Sequence, residues 1–166
     1  MSLFLAPQVA QSQDLENTLY LDLKDGRVVI KLRPDLAPKH VERIKQLTRA
    51  GFYDGIVFHR VIDGFMAQTG DPTGTGMGGS DKPDLKAEFS NERFVRGTLG
   101  MARAANPDSA NSQFFIMFAD GPHLNGQYTV WGQVVEGMEF VDMIAKGQPP
   151  ATPDRIVKMQ VAADAG

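Results

Sequence analysis

Phe58-His59-Arg60-Val61-Ile62-Asp63-Gly64-Phe65-Met66-Ala67-Gln68-Thr69-Gly70-Asp71 is the stretch on which the reading of this chain turns. It sets one arginine among Phe58, Phe65 and Met66, with an amide, Gln68, three residues after Phe65. A guanidinium keeps its charge in a protein, and burying it among apolar groups is costly without a partner. Such a group belongs at the rim of a pocket, where it has something to bind. The stretch itself predicts two strands, Ile56–Val61 and Phe65–Thr69, broken by the turn formers Asp63-Gly64.

Working outward, Thr18–Leu23 and Val28–Leu32 are β-rich runs joined by Lys24-Asp25-Gly26-Arg27, and the Asp-Gly pair signals a hairpin. A helix follows, opened by Pro38 and stopped by Gly51, with Val41, Ile44 and Leu47 as its buried stripe. Its charged residues Lys39, Glu42, Arg43, Lys45 and Arg49 are expected to form a solvated face. Residues 70–90 are rich in glycine, aspartate and proline and predict a long loop. Gly97–Arg103, Phe114–Phe118, Thr129–Val134 and Ile156–Val161 predict further strands. Met138, Val141, Ile144 and Ala145 mark a second helix ending before Gly147. Two helices among many strands, without strand–helix alternation, favour a closed antiparallel sheet over a doubly wound one.

Side chains alternate across a strand. Gln113, Phe115 and Met117 therefore share one face, and Phe114, Ile116 and Phe118 the other. By the same rule Met66 and Gln68 lie on one face, Phe65 and Ala67 on the opposite one. A closed barrel fills its interior with one set and leaves the other for a surface groove.

The opening stretch, followed later by Ser112-Gln113-Phe114-Phe115-Ile116, resembles the two signatures of the cyclophilin-type peptidyl-prolyl cis-trans isomerases, in a bacterial-like form. The resemblance runs from about Asn17 to Ala162. It implies a mainly β fold: a closed eight-stranded antiparallel barrel capped by two α-helices. It implies an isomerase that rotates Xaa-Pro peptide bonds to assist protein folding. Carried over by position, Arg60 matches the catalytic arginine. Phe65, Met66, Phe115 and Leu124 match the apolar pocket for the substrate proline. Gln68 and Gln113 match the polar residues that hold the arginine and the substrate backbone. Met101-Ala102-Arg103-Ala104 matches the strand that pairs with the peptide, and Gly76 is the expected contact from the glycine-rich loop. Proline-containing peptides and unfolded or partly folded chains are the implied partners, and a monomer working without a cofactor is expected.

Three positions depart from the family pattern. Arg103 stands where many members have asparagine; if only its backbone touches the peptide, little changes, and if its side chain does, peptide preference shifts. His123 replaces the tryptophan of cyclosporin-sensitive members, so weak cyclosporin binding is expected. Tyr128 replaces a groove histidine and keeps an aromatic wall with a polar tip.

The remaining features are plainer. Gly74-Thr75-Gly76-Met77-Gly78-Gly79 is a formal G-x-G-x-x-G, but Pro83 and nearby turn formers oppose the following helix that phosphate binding needs. His40, His59 and His123 lack metal-like spacing, and there is no cysteine, so no metal site is predicted. His59 directly precedes Arg60, faces the other way in a strand, and reads as structural. Asp108-Ser109 and Asn111-Ser112 are turn formers rather than a nucleophile's setting. The 166 residues fit one domain, with 42% apolar and 22% charged residues and a net charge of -3, which leaves a nucleic-acid partner no electrostatic footprint. No apolar run approaches the ~20 residues that span a bilayer, so no membrane association is expected. Residues 1–17 are expected to be a flexible tail ahead of an isomerase domain over 18–166. The protein is expected to be soluble and cytoplasmic by default, and periplasmic if that tail is the stub of a signal peptide. The competing reading is a module on the same fold that holds proline segments without turnover, which would require loss of Arg60 or a blocked pocket.

Overall fold

The computed structural model describes residues 14–165. Its strands are β1 (Thr18–Leu23), β2 (Gly26–Leu32), β3 (Arg60–Ile62), β4 (Met66–Thr69), β5 (Thr98–Met101), β6 (Phe114–Met117), β7 (Val130–Glu136) and β8 (Lys158–Val161). They form one eight-stranded antiparallel sheet in the order β3-β4-β6-β5-β7-β2-β1-β8. Helix α1 (Pro38–Arg49) follows β2 and α2 (Met138–Asp142) follows β7.

The sheet curls into a half-barrel, and its ends meet without a strand ladder. The run predicted as a strand over 56–61 splits instead. Its first part pairs with the segment before β8, through Gly55 N–H to Ile156 O at 2.7 Å and Phe58 N–H to Asp154 O at 2.9 Å. Only Arg60–Ile62 continues as β3, beside β4. On its other side Val61 exchanges both backbone hydrogen bonds with Gly147, each 2.8 Å. Closure is thus carried by flanking segments, because β3 is too short to span the seam.

The predicted hairpin is present, with a different turn. Leu23 pairs with Gly26, so Lys24-Asp25 make the turn and Gly26 belongs to β2. Gly26 is needed for space: a Cβ there would run into the Phe140 ring of α2 at 2.5 Å. Helix α1 begins with proline and has no side-chain cap of its own. Glu88, from the long loop, accepts the N–H groups of Lys39 and His40 at 3.3 and 2.8 Å and so satisfies donors that any helix start leaves open. Gly51, at φ +71°, ends the helix as expected. Val41, Ile44 and Leu47 are buried, but so is Arg43, against expectation. Its guanidinium donates to Pro83 O at 2.6 Å and Asn111 O at 3.2 Å, which offsets its desolvation. Helix α2 stops at Asp142, earlier than predicted. Its last turn tightens to Met143 N–H→Phe140 O and Ile144 N–H→Val141 O bonds, and Asp154 then takes Ala145 N–H at 2.8 Å.

The main core lies inside the curl, where Phe114 meets Tyr53 and Trp131 edge-on at 5.3 Å each. A second cluster of Met66, Phe94, Phe115, Met117, Leu124 and Val130 lies on the outer face of the same strands. Residues 14–17, counted with the tail from sequence, are attached to the domain. Glu16 pairs with Lys45 at 2.6 Å and Arg49 at 2.8 Å, and Asn17 O accepts Leu32 N–H at 2.8 Å. The remainder of the expected tail lies outside the described residues.

Candidate active site

The site is written in strand register. Arg60 on β3 pairs with Gln68 on β4, Gln68 pairs with Phe115 on β6, and Phe115 pairs with Gly100 on β5. Cross-strand partners stand side by side on one face, so the cation, the amide and the aromatic ring line up across three strands. Gly100 leaves the room that completes this row, since a Cβ there would meet the Phe115 and Phe94 rings at 2.6 Å. Those two rings stack at 5.7 Å beneath the groove.

Period-two alternation sorts β6 correctly. Phe114 and Ile116 face the main core, while Phe115 and Met117 face the outer cluster. It misplaces Phe65, which packs in the outer cluster with Met66 rather than in the core with Ala67. The reason is local: β4 starts at Met66, so Phe65 belongs to the preceding turn and escapes the pleat.

Arg60, Phe65, Met66, Gln68, Ala102 and Arg103, with Phe115, Leu124 and Tyr128, line a small pocket of about 140 Å³. A second cleft of about 480 Å³ adjoins it, sharing Gln68, Ala102 and Arg103 and adding Gly76, Ala104 and Gln113. The smaller space suits one ring, the larger one a length of chain. His123 lines neither; it rests against Phe65 from the rim, ring centroids 5.4 Å apart.

Arg60 is exposed and donates to Gln68 Oε1 at 3.3 Å and Gln148 Oε1 at 3.4 Å. No carboxylate pairs with it among the described residues. Bonds of that length are weak, so the guanidinium is oriented but not consumed. Gln148 was not singled out from sequence; the Val61–Gly147 pairing delivers it. Arg103 lies with its guanidinium carbon 4.3 Å above the Tyr128 ring and donates to Gln127 O at 2.7 Å and Ala104 O at 3.0 Å. Two departures noted separately in the sequence are thus one wall of the small pocket. The Arg103 backbone makes no backbone hydrogen bond among the described residues, which leaves it open to an added strand.

The glycine-rich run wraps a carboxylate of its own chain. Asp71, fully buried, accepts N–H groups of Thr73 at 2.8 Å, Thr75 at 3.1 Å and Gly76 at 2.6 Å. Successive amides in turn conformation make an anion-binding concavity, and here the anion is internal. Gly74 and Gly76 have φ of +72° and +89°, where only glycine is at ease. A Cβ at Gly78 would collide with the Asp71 carboxylate. No helix follows the motif. Among the described residues no three His, Cys, Asp or Glu side chains gather as metal ligands would.

Comparison with known proteins decides the family. The sequence model of the cyclophilin type peptidyl-prolyl cis-trans isomerases matches residues 18–161. The chain belongs to this family. A probable peptidyl-prolyl cis-trans isomerase of Brucella suis is 58% identical over 96% of this chain and 89% of its own length. Peptidyl-prolyl cis-trans isomerase B of Bacillus subtilis is 42% identical over 78% of this cyclophilin and 92% of itself. Among solved structures, a cyclophilin from Hirschia baltica superposes with a TM-score of 0.84 at 26% identity, covering 98% of this chain and 82% of that one. A Cryptosporidium parvum cyclophilin, crystallised in the presence of the dipeptide Ala-Pro, gives 0.81 at 30% identity, covering 87% and 98%. This cyclophilin is accordingly a peptidyl-prolyl cis-trans isomerase.

Proposed function

We propose that this cyclophilin rotates Xaa-Pro bonds of peptides and incompletely folded chains in the groove between Arg60 and Phe115. The peptide C–N bond has double-bond character and a rotation barrier of about 18–20 kcal/mol. Both isomers of an Xaa-Pro bond are populated, yet exchange takes tens to hundreds of seconds. In the twisted transition state resonance is lost and the prolyl nitrogen regains a lone pair. A donor held against that nitrogen stabilises the twisted form more than either planar one, which is the requirement for catalysis. Arg60 is that donor. Phe65, Met66, Phe115 and Leu124 receive the ring, Gln68 holds the guanidinium, and the open backbone at Arg103 takes the peptide chain. Removing ~4–6 kcal/mol from the barrier would speed exchange about 10³- to 10⁴-fold.

The observation that carries this reading is the row Arg60–Gln68–Phe115, in which an exposed guanidinium, without a carboxylate partner among the described residues, stands beside a small pocket walled by Phe65, Met66, Phe115 and Leu124. The test is cis–trans exchange of a short Ala-Pro peptide by NMR. Wild type accelerates it and Arg60→Ala, folded as before, is slower by about 10²–10³-fold. Near-wild-type activity in the variant removes Arg60 from the mechanism.

A further inference from the structure

We propose that Asp71 is a positioning residue for Arg60: by holding the glycine loop it fixes the direction of a chain of amides that ends on the guanidinium. The inference rests on the assignment of Arg60 as the donor.

An amide side chain can point either way, because its oxygen and nitrogen ends have nearly the same shape. In this groove the direction is decided at one end. Gln113 Nε2 lies 2.9 Å from both Gly76 O and Gly78 O. Two carbonyls can only accept, so the amino group of Gln113 must face the loop. Its Oε1 then faces Gln68, whose Nε2 donates to it at 2.9 Å. That in turn leaves Gln68 Oε1 toward Arg60, where it accepts Nη1–H at 3.3 Å. Reversing Gln68 would set a donor against the cation, and reversing Gln113 would set an acceptor against the two carbonyls.

The two carbonyls that start this sequence belong to the loop that Asp71 organises. Besides the three N–H groups it accepts, its carboxylate takes the Thr73 hydroxyl at 2.7 Å. Burial alone would push this carboxyl up, but the Thr73 hydroxyl and the loop amides, those of Thr73 and Gly76 among them, bring it down to about 2. It is therefore ionised near neutral pH. Asp71 has no place in the small pocket, so it acts only through the loop.

The test compares Asp71→Asn and Thr73→Val with wild type and Arg60→Ala, using the Ala-Pro peptide. Thr73 is exposed, so its variant folds even if the substitution at buried Asp71 does not. Asp71→Asn should lower kcat about tenfold with KM within about twofold, since displacements remote from the chemistry act on geometry. Thr73→Val should do the same to a smaller degree. In both, the side-chain amide signals of Gln113 and Gln68 and the Arg60 Nε–H signal should move in nitrogen-15 spectra. If Arg60→Ala is inactive while both loop variants keep wild-type kcat, the positioning role is wrong and the reading of Arg60 stands. If the loop variants lose activity with the Gln68 and Arg60 signals unmoved, Asp71 serves loop stability alone. If Arg60→Ala stays active, both readings fall together.

Discussion

Arg60 and Gln68 sit directly opposite each other in the β3–β4 ladder, with Nη1 3.3 Å from Oε1. One strand pairing thereby places a permanent cation beside an acceptor that orients it without neutralising it. A carboxylate at position 68 would bind the guanidinium more tightly and screen it from substrate.

Replacing Gln68 tests that arrangement. Gln68→Leu keeps the volume and removes the acceptor, so kcat should fall about tenfold, on the scale of one lost orienting hydrogen bond of ~1–1.5 kcal/mol. KM should change little, because Phe65, Met66 and Phe115 still form the pocket. Steady-state analysis of peptide exchange checks the split; a change confined to KM would contradict it.

Arg103 and Tyr128 should behave as a unit. Arg103→Ala removes the stack at 4.3 Å and the bond to Gln127 O. It should raise KM several-fold, with an effect of about 0.5–2 kcal/mol, the range of a cation–π contact. Tyr128→Ala should be non-additive with it in a double-mutant cycle. Additive losses would mean that the two residues act separately.

Stability should fall with acid from near neutrality. Burial lowers the pKa of His40, despite the facing Glu88, and of His59. Both are buried and so favour the neutral ring when folded. The unfolded state then binds more protons below its own histidine pKa of about 6.5. Unfolding free energy should be flat above that value and decrease as pH falls from it through the folded pKa values. The limiting slope is about 1.4 kcal/mol per pH unit for each histidine. Urea titrations from pH 8 to 5 check this, and a flat profile would contradict two neutral buried rings.

Cyclosporin should bind weakly. His123 lies against Phe65 outside the pocket lining, and it has neither the area nor the indole donor of tryptophan. His123→Trp should tighten binding at least about tenfold, in keeping with the weight of tryptophan at interface anchors. A nanomolar dissociation constant for the wild type by titration would sink the expectation.

Much of the framework was legible because it is local. Proline and glycine mark the ends of α1, and the spacing of Val41, Ile44 and Leu47 gives its buried side. Alternation in Gln113–Phe118 sorts inner from outer face before any partner strand is known. Phe65 broke the alternation because it precedes its strand. Arg43 broke the helix pattern because two backbone carbonyls from distant loops offset its burial.

The sequence by itself determined the elements, the faces and the identity of the groups available for chemistry, since propensity, periodicity and turn preference act over a few residues. Only the tertiary structure decided how those groups act together. Arg60 meets Gln148 across 88 residues of chain, and Gln68 meets Gln113 across 45. Such pairings depend on which segments the curled sheet brings side by side, and no local pattern encodes that distance.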